Sequence, residues 1–158
     1  MKWLIIIWTV LVMASCAEIS HGQTLPWTSM EHLGDSLRAN PKPLMVFIHT
    51  DWCKYCKMQE NITFKDQEVI DLLTEKFYCL KIDAEDERTL TFMGRDYDPA
   101  SVGDFHPLAR MLGMEHGKLL FPTTVFYFPS TQTFQRFQGF QREKDLKRFI
   151  QEIENGMP

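Results

Sequence analysis

The feature that most constrains this chain is an apolar run that stops just short of a pair of cysteines. "LMVFIHT" (44–50) is followed by Asp51, Trp52, Cys53, Lys54, Tyr55 and Cys56. A segment apolar at nearly every position, not at alternate ones, suits a central strand buried on both faces. Lys54 to Glu60 reads as a helix. The first cysteine therefore falls where a buried strand gives way to a helix.

The rest of the chain frames that junction. Met30, Leu33 and Leu37 have helical spacing, with Thr28 or Ser29 as a cap and Asn40-Pro41 as a stop. "DQEVIDLLTEKF" places Val69, Ile70, Leu72 and Leu73 on one side of a second helix, capped by Asp66. "FYCLKIDA" is a further strand with Cys79 inside it. "TLTFMGRDYD" turns at Met93-Gly94 and predicts a small hairpin. "DFHPLARMLGME" offers a short helix with Asp104 as its cap. "PTTVFYF" and "TFQRFQGF", joined by "PSTQ", predict an antiparallel pair. Leu146, Phe149, Ile150 and Ile153 make the buried stripe of a last helix that ends at Gly156. A strand, helix, strand order early on favours a parallel βαβ unit with a right-handed crossover. The expected class is α/β, a mixed central sheet flanked by helices.

At 158 residues the chain suits one domain with a real core. Its net charge of −4 argues against nucleic-acid binding, which wants a basic surface. The N-terminus stands apart. Lys2 precedes an apolar run from Trp3 to about Met13, too short for the ~20 residues of a comfortable membrane span. It reads as a secretory signal, giving residues 1–22 as signal peptide and short tether and 23–158 as the domain. The tether runs to Trp27. "VMASC" resembles a bacterial lipoprotein signal and makes Cys16 a candidate for lipidation, although Met13 stands where leucine is usual. Ordinary cleavage after Ala17 or Gly22 is the alternative. Either route predicts an exported protein of the periplasm or cell envelope, touching the membrane only through such an anchor.

Three readings compete for Cys53 and Cys56. A structural zinc site needs four ligands. Cys79 is alone in its strand, and His21, His32, His49, His106 and His116 show no paired spacing. A static staple across so short a loop gains little, because disulfide stabilisation grows with loop length. A redox pair is the favoured reading. A cysteine in the first turn of a helix meets the positive end of the helix dipole and free backbone N–H groups, both of which stabilise a thiolate. Lys54 and Lys57 add positive charge and are candidates for tuning its acidity. The first cysteine is expected to be exposed, the second sheltered one turn in.

"WCKYCK" resembles the active site of the thioredoxin superfamily. "VFIHTDWC" resembles the strand and turn before it, "KIDAED" the next strand, and "FPTTVFY" the segment that holds the family's cis-proline. The wider run "DWCKYCKMQENITFKDQEVIDLL" is similar to exported thioredoxin-like proteins and to the periplasmic thioredoxin-like domain of membrane disulfide reductases. The resemblance implies a thioredoxin fold, with the stretch from Arg88 to Lys118 as an insertion before the cis-proline strand. It implies Cys53 as attacking thiol, Cys56 as resolving thiol, and Trp52, Phe121, Pro122 and Thr123 as substrate contacts. It also implies thiol–disulfide oxidoreductase activity on protein disulfides, a membrane thiol–disulfide electron donor, and no metal or organic cofactor. One departure stands out. Many members bury a carboxylate six residues before the first cysteine, where this chain has Phe47. His49, on the same strand face by alternation, is a candidate substitute, set against a plain core histidine. Two other readings remain: a non-enzymatic binding module of the same fold, and a Cu(I)-handling protein using the two thiolates.

Overall fold

The computed structural model describes residues 24–99 and 105–156. The expected signal peptide, Cys16 and Asp104 lie outside the described residues.

Helix α1 spans Met30–Ala39 and leads into strand β1, Leu44–His49. Helix α2, Lys54–Asn61, and helix α3, Gln67–Lys76, follow, with a single 3-10 turn at Thr63–Lys65 between them. Strand β2 is Tyr78–Asp83; β3, Leu90–Phe92, and β4, Arg95–Tyr97, form a separate hairpin. Helix α4, Pro107–Gly113, precedes strands β5, Thr123–Phe128, and β6, Thr133–Gln138, and helix α5, Glu143–Glu154, comes last. The main sheet has the order β2-β1-β5-β6, with β1 parallel to β2 and every other neighbour antiparallel.

Local chemistry explains most boundaries. Asp66 caps α3 by accepting the Val69 N–H at 3.0 Å, which satisfies one of the unpaired amides of the first turn. Met93 and Gly94 both have positive φ, the backbone a tight hairpin turn needs to match strand twist. Ser29 occupies the N-cap of α1, but its hydroxyl donates to the Glu31 carboxylate and not to the helix.

Alternation along β1 divides the core. Met45 and Phe47 face one side, where Val69, Ile70 and Leu73 of α3 and Leu146 and Ile150 of α5 cover them together with Cys53 and Cys56. Leu44, Val46 and Ile48 face the other side, against Leu33 of α1 and Leu108 and Leu112 of α4. Every residue from Leu44 to Ile48 is fully buried. That is why the run reads as continuously apolar.

Two expectations need correcting. The segment before α1 is no loose tether: Leu25 is buried, Trp27 packs on the same core, and the Thr28 N–H donates to the Cys79 carbonyl at 2.7 Å. The cap of α4 is His106, whose Nδ1 accepts the Leu108 N–H at 3.2 Å while Nε2 lies 3.2 Å from the Arg88 carbonyl. Those partners require the neutral tautomer with its proton on Nε2. A proline at the helix start removes one amide that would need capping.

Candidate active site

The end of β1 sets the cysteines in place. The Cys53 N–H donates to the Thr50 carbonyl at 3.2 Å, closing a tight turn off the strand. Cys53 is then the N-cap of α2, and the Cys56 N–H points at its sulfur from 3.0 Å. The two cysteines form a disulfide, their Cα atoms 5.2 Å apart. An amide and a helix N-terminus aimed at the Cys53 sulfur stabilise negative charge there when the bond opens.

Burial differs from the expectation. Cys53 is 5% exposed and Cys56 1%, so the first cysteine is sheltered too. The bond to Cys56 and the Cys56 amide hold its sulfur inward. Its neighbours carry the exposed surface: Trp52 is 61% and Tyr55 62% exposed. Lys54 and Lys57 are also exposed, where solvent screens their charge.

Thr123 opens β5 directly opposite Ile48 of β1, so the loop before it lies at the sheet end from which Cys53 emerges. The Phe121–Pro122 peptide is cis. The Phe121 ring stands edge-on to Trp52, centroids 5.8 Å apart, and a second edge contact joins it to Phe105 at 4.9 Å. Pro122 is buried and its carbonyl is taken by the Gly139 N–H at 2.7 Å. Thr123 is fully buried, with its hydroxyl donated to the Leu120 carbonyl at 2.6 Å. Of the four expected substrate contacts, exposed Trp52 and part-buried Phe121 thus pack together, while Pro122 and Thr123 are buried.

Beneath the pair, Phe47 fills the place of the expected carboxylate. It packs edge-on against Phe64 at 5.0 Å and stacks on Trp27 at 6.1 Å and His49 at 5.8 Å. His49 shares the Phe47 face, as alternation requires. Burial, helped by the charge of Lys81, holds its pKa below the ordinary 6.5. Lys81 pairs with Glu60 of α2 at 2.9 Å. Cys79 is free and buried, with its thiol pushed up to about 12 by desolvation. Among the described residues, no group of three or more His, Cys, Asp or Glu side chains is placed to hold a metal ion.

Three contributors escaped the sequence reading. Gln59 is fully buried and joins α2 to Thr124 and to the Gln141 backbone. Its only sequence signal is a position three residues after Cys56, on the same helix face. Glu85, inside "KIDAED", accepts the Trp52 indole N–H. Phe105 extends the aromatic row from within the insertion. Neither carries a local signal, since each acts through a contact distant in sequence.

A family model described as a thioredoxin-like domain matches residues 31–154. A 58-residue stretch is 28% identical to a thiol:disulfide interchange protein, DsbD, of Campylobacter jejuni. That match covers 37% of this chain and only 10% of the relative's length. A thioredoxin from Thermus thermophilus has a similar structure, with a TM-score of 0.57 at 19% identity over 83% of this chain and 88% of that one. A thioredoxin-fold protein from Helicobacter pylori gives 0.55 at 15% identity, over 74% and 71%. These two likenesses are of fold.

Proposed function

This chain belongs to the thioredoxin-like domain family, and on that premise we propose that it is an exported thiol–disulfide oxidoreductase that reduces protein disulfides. The observation that carries the reading is the Cys53–Cys56 disulfide at the N-terminus of α2, with a backbone amide on the Cys53 sulfur. A helix N-terminus favours the thiolate, and the thiolate is the nucleophile.

In the reduced protein the Cys53 thiolate attacks one sulfur of a substrate disulfide. A new S–S bond forms, the substrate bond breaks, and the leaving substrate sulfur takes up a proton. Cys56, having lost its own proton, then attacks the Cys53 sulfur. The mixed disulfide breaks and the second substrate thiol departs. Two electrons pass from the protein dithiol to the substrate. A dithiol donor in the membrane restores the reduced pair, and no organic cofactor takes part. Trp52 and Phe121 form the apolar wall that receives the substrate, Pro122 and Thr123 complete the substrate-binding loop beside it, and Lys54 and Lys57 add a small screened contribution to thiolate stability.

Export rests on the apolar run behind Lys2 and the small residues that follow it. Among the described residues no helix is long and apolar enough to cross a membrane. Where Cys16 carries a lipid, Cys16→Ser releases the protein from the membrane fraction; where ordinary cleavage after Ala17 or Gly22 removes Cys16, the mature protein starts unmodified. The 28% identity over 58 residues to the Campylobacter thiol:disulfide interchange protein supports the chemistry.

The test is turnover of a protein disulfide by the full chain with a small dithiol as reductant. Catalytic reduction well above the rate of the dithiol alone supports the proposal. An unaccelerated rate, with the pair shown to be reduced, would leave the fold as a binding module.

A further inference from the structure

We infer that the insertion between Arg88 and Lys118 selects substrates, with Phe105 as its positioning residue. Phe105 holds the Phe121 ring at the disulfide end of the sheet, which favours a substrate with an apolar side chain next to the attacked cysteine. This selection rests on the proposed reduction of protein disulfides.

The insertion is anchored at both ends. Its hairpin packs against α1, with Phe92 buried in the same cluster as Leu33. Its later limb returns to the sheet at Phe105, and the next residue closes the neck. The His106 N–H donates to the Ala84 carbonyl at 2.7 Å, and His106 Nε2 lies 3.2 Å from the Arg88 carbonyl, across 18 residues. Phe105 is therefore fixed at the base of a closed loop, part-buried among neighbours that hold its backbone.

The Phe121 ring depends on that placement. It is part-buried and packs against the cluster that contains Cys53 and Cys56 and against the cluster on the other face of the sheet. Phe105 stands edge-on to it at 4.9 Å. Such a pair contributes beyond the area it buries. Without it the Phe121 ring gains freedom that binding must remove. The surroundings name the substrate class. Leu120, beside Phe121, is 50% exposed, and Trp52 and Tyr55 are exposed where β1 ends. Strands β1 and β5 are antiparallel, so both groups lie at one end of the sheet. Apolar side chains exposed together suit an apolar partner.

The experiment uses the full chain and two homodimeric disulfide peptides that differ only in leucine or serine before the cysteine. Both kcat and KM are measured for each. Wild type should favour the leucine peptide. Phe105→Ala should lower that preference about fivefold, equivalent to about 1 kcal/mol, through KM with kcat kept. Phe105→Tyr, which keeps the ring edge, should restore it. Phe105→Leu, which fills the space without a ring, should lose it too, and reads the same ratio if the alanine variant fails to fold. An unchanged preference in the alanine and leucine variants, or equal loss with tyrosine, would overturn the positioning role. So would a fall in kcat alike for both peptides, which marks a merely structural support. Wild type that reduces both peptides equally well would overturn the selection and leave the proposed function standing. Wild type that reduces neither would overturn both.

Discussion

Gln59 Nε2 donates to Thr124 Oγ1 at 3.0 Å, tying the helix that carries the cysteines to the strand that follows Pro122. The same side chain accepts the Gln141 N–H at 3.0 Å through its carbonyl oxygen. A single buried amide thus ties α2 to β5 and to the segment between β6 and α5. Gln59→Leu should leave the buried Thr124 hydroxyl and the part-buried Gln141 amide without that partner. An unmatched buried polar group costs about 1–3 kcal/mol, so a loss of about 3 kcal/mol is expected. Urea unfolding measures it, and a change below about 1 kcal/mol would show that the clamp is replaceable.

Cys56→Ser should trap mixed disulfides through Cys53, and Cys53→Ser should trap none. The order follows from geometry: Cys53 caps α2 and receives the amide, whereas Cys56 lies one turn in and is 1% exposed. Mass spectrometry of the variants after exposure to a protein disulfide identifies the attached sulfur. Trapping by Cys53→Ser would reverse the two roles.

The helix N-terminus stabilises the reduced form, and the screened lysines add little. A reduction potential between about −270 and −180 mV is expected, spanning the range from thioredoxin to the disulfide isomerase. Equilibration with a glutathione buffer gives the value. A potential near about −120 mV would make the protein a disulfide-forming oxidase instead.

His49 predicts a loss of stability in mild acid. Burial holds its folded pKa below 6.5, so the folded chain binds this proton less readily than the unfolded chain. The contribution is complete above pH 6.5 and is lost as pH falls through the depressed value. His49→Gln should flatten the stability profile just below pH 6.5, in a window above that of most carboxylates. Equal slopes for variant and wild type would place the ring in solvent.

Cys79 predicts the opposite limb. Desolvation raises its thiol from 9.0 to about 12, so the unfolded chain ionises first as pH rises. Its contribution is full below pH 9 and falls away towards pH 12. Cys79→Ala should reduce that alkaline slope. Native protein should also resist alkylation at Cys79 until it unfolds, which peptide mapping will show.

Some of this molecule was determined by the sequence alone, because the signals lie within a few residues of one another. The unbroken apolar run from Leu44 to Ile48 marked the central strand, and burial on both faces is its cause. Asp66 marked a helix start through its own reach to Val69. Met93-Gly94 marked a hairpin through backbone freedom, and Leu146 and Ile150 marked the inner face of α5. Cys53 and Cys56 could be placed at a strand-to-helix junction by the same local reasoning. Tertiary structure alone decided the rest. Trp52 meets Glu85 across 33 residues, Gln59 meets Thr124 across 65, and Gln141 returns to Gln59 across 82. Periodicity and capping describe one element at a time, so they are silent on which distant side chains a fold brings together. The same limit hid the packing of Trp27 against Phe47 and the shelter of Cys53. Burial belongs to the neighbours a residue acquires, and those neighbours exist only once the strands have paired and the helices have closed over them.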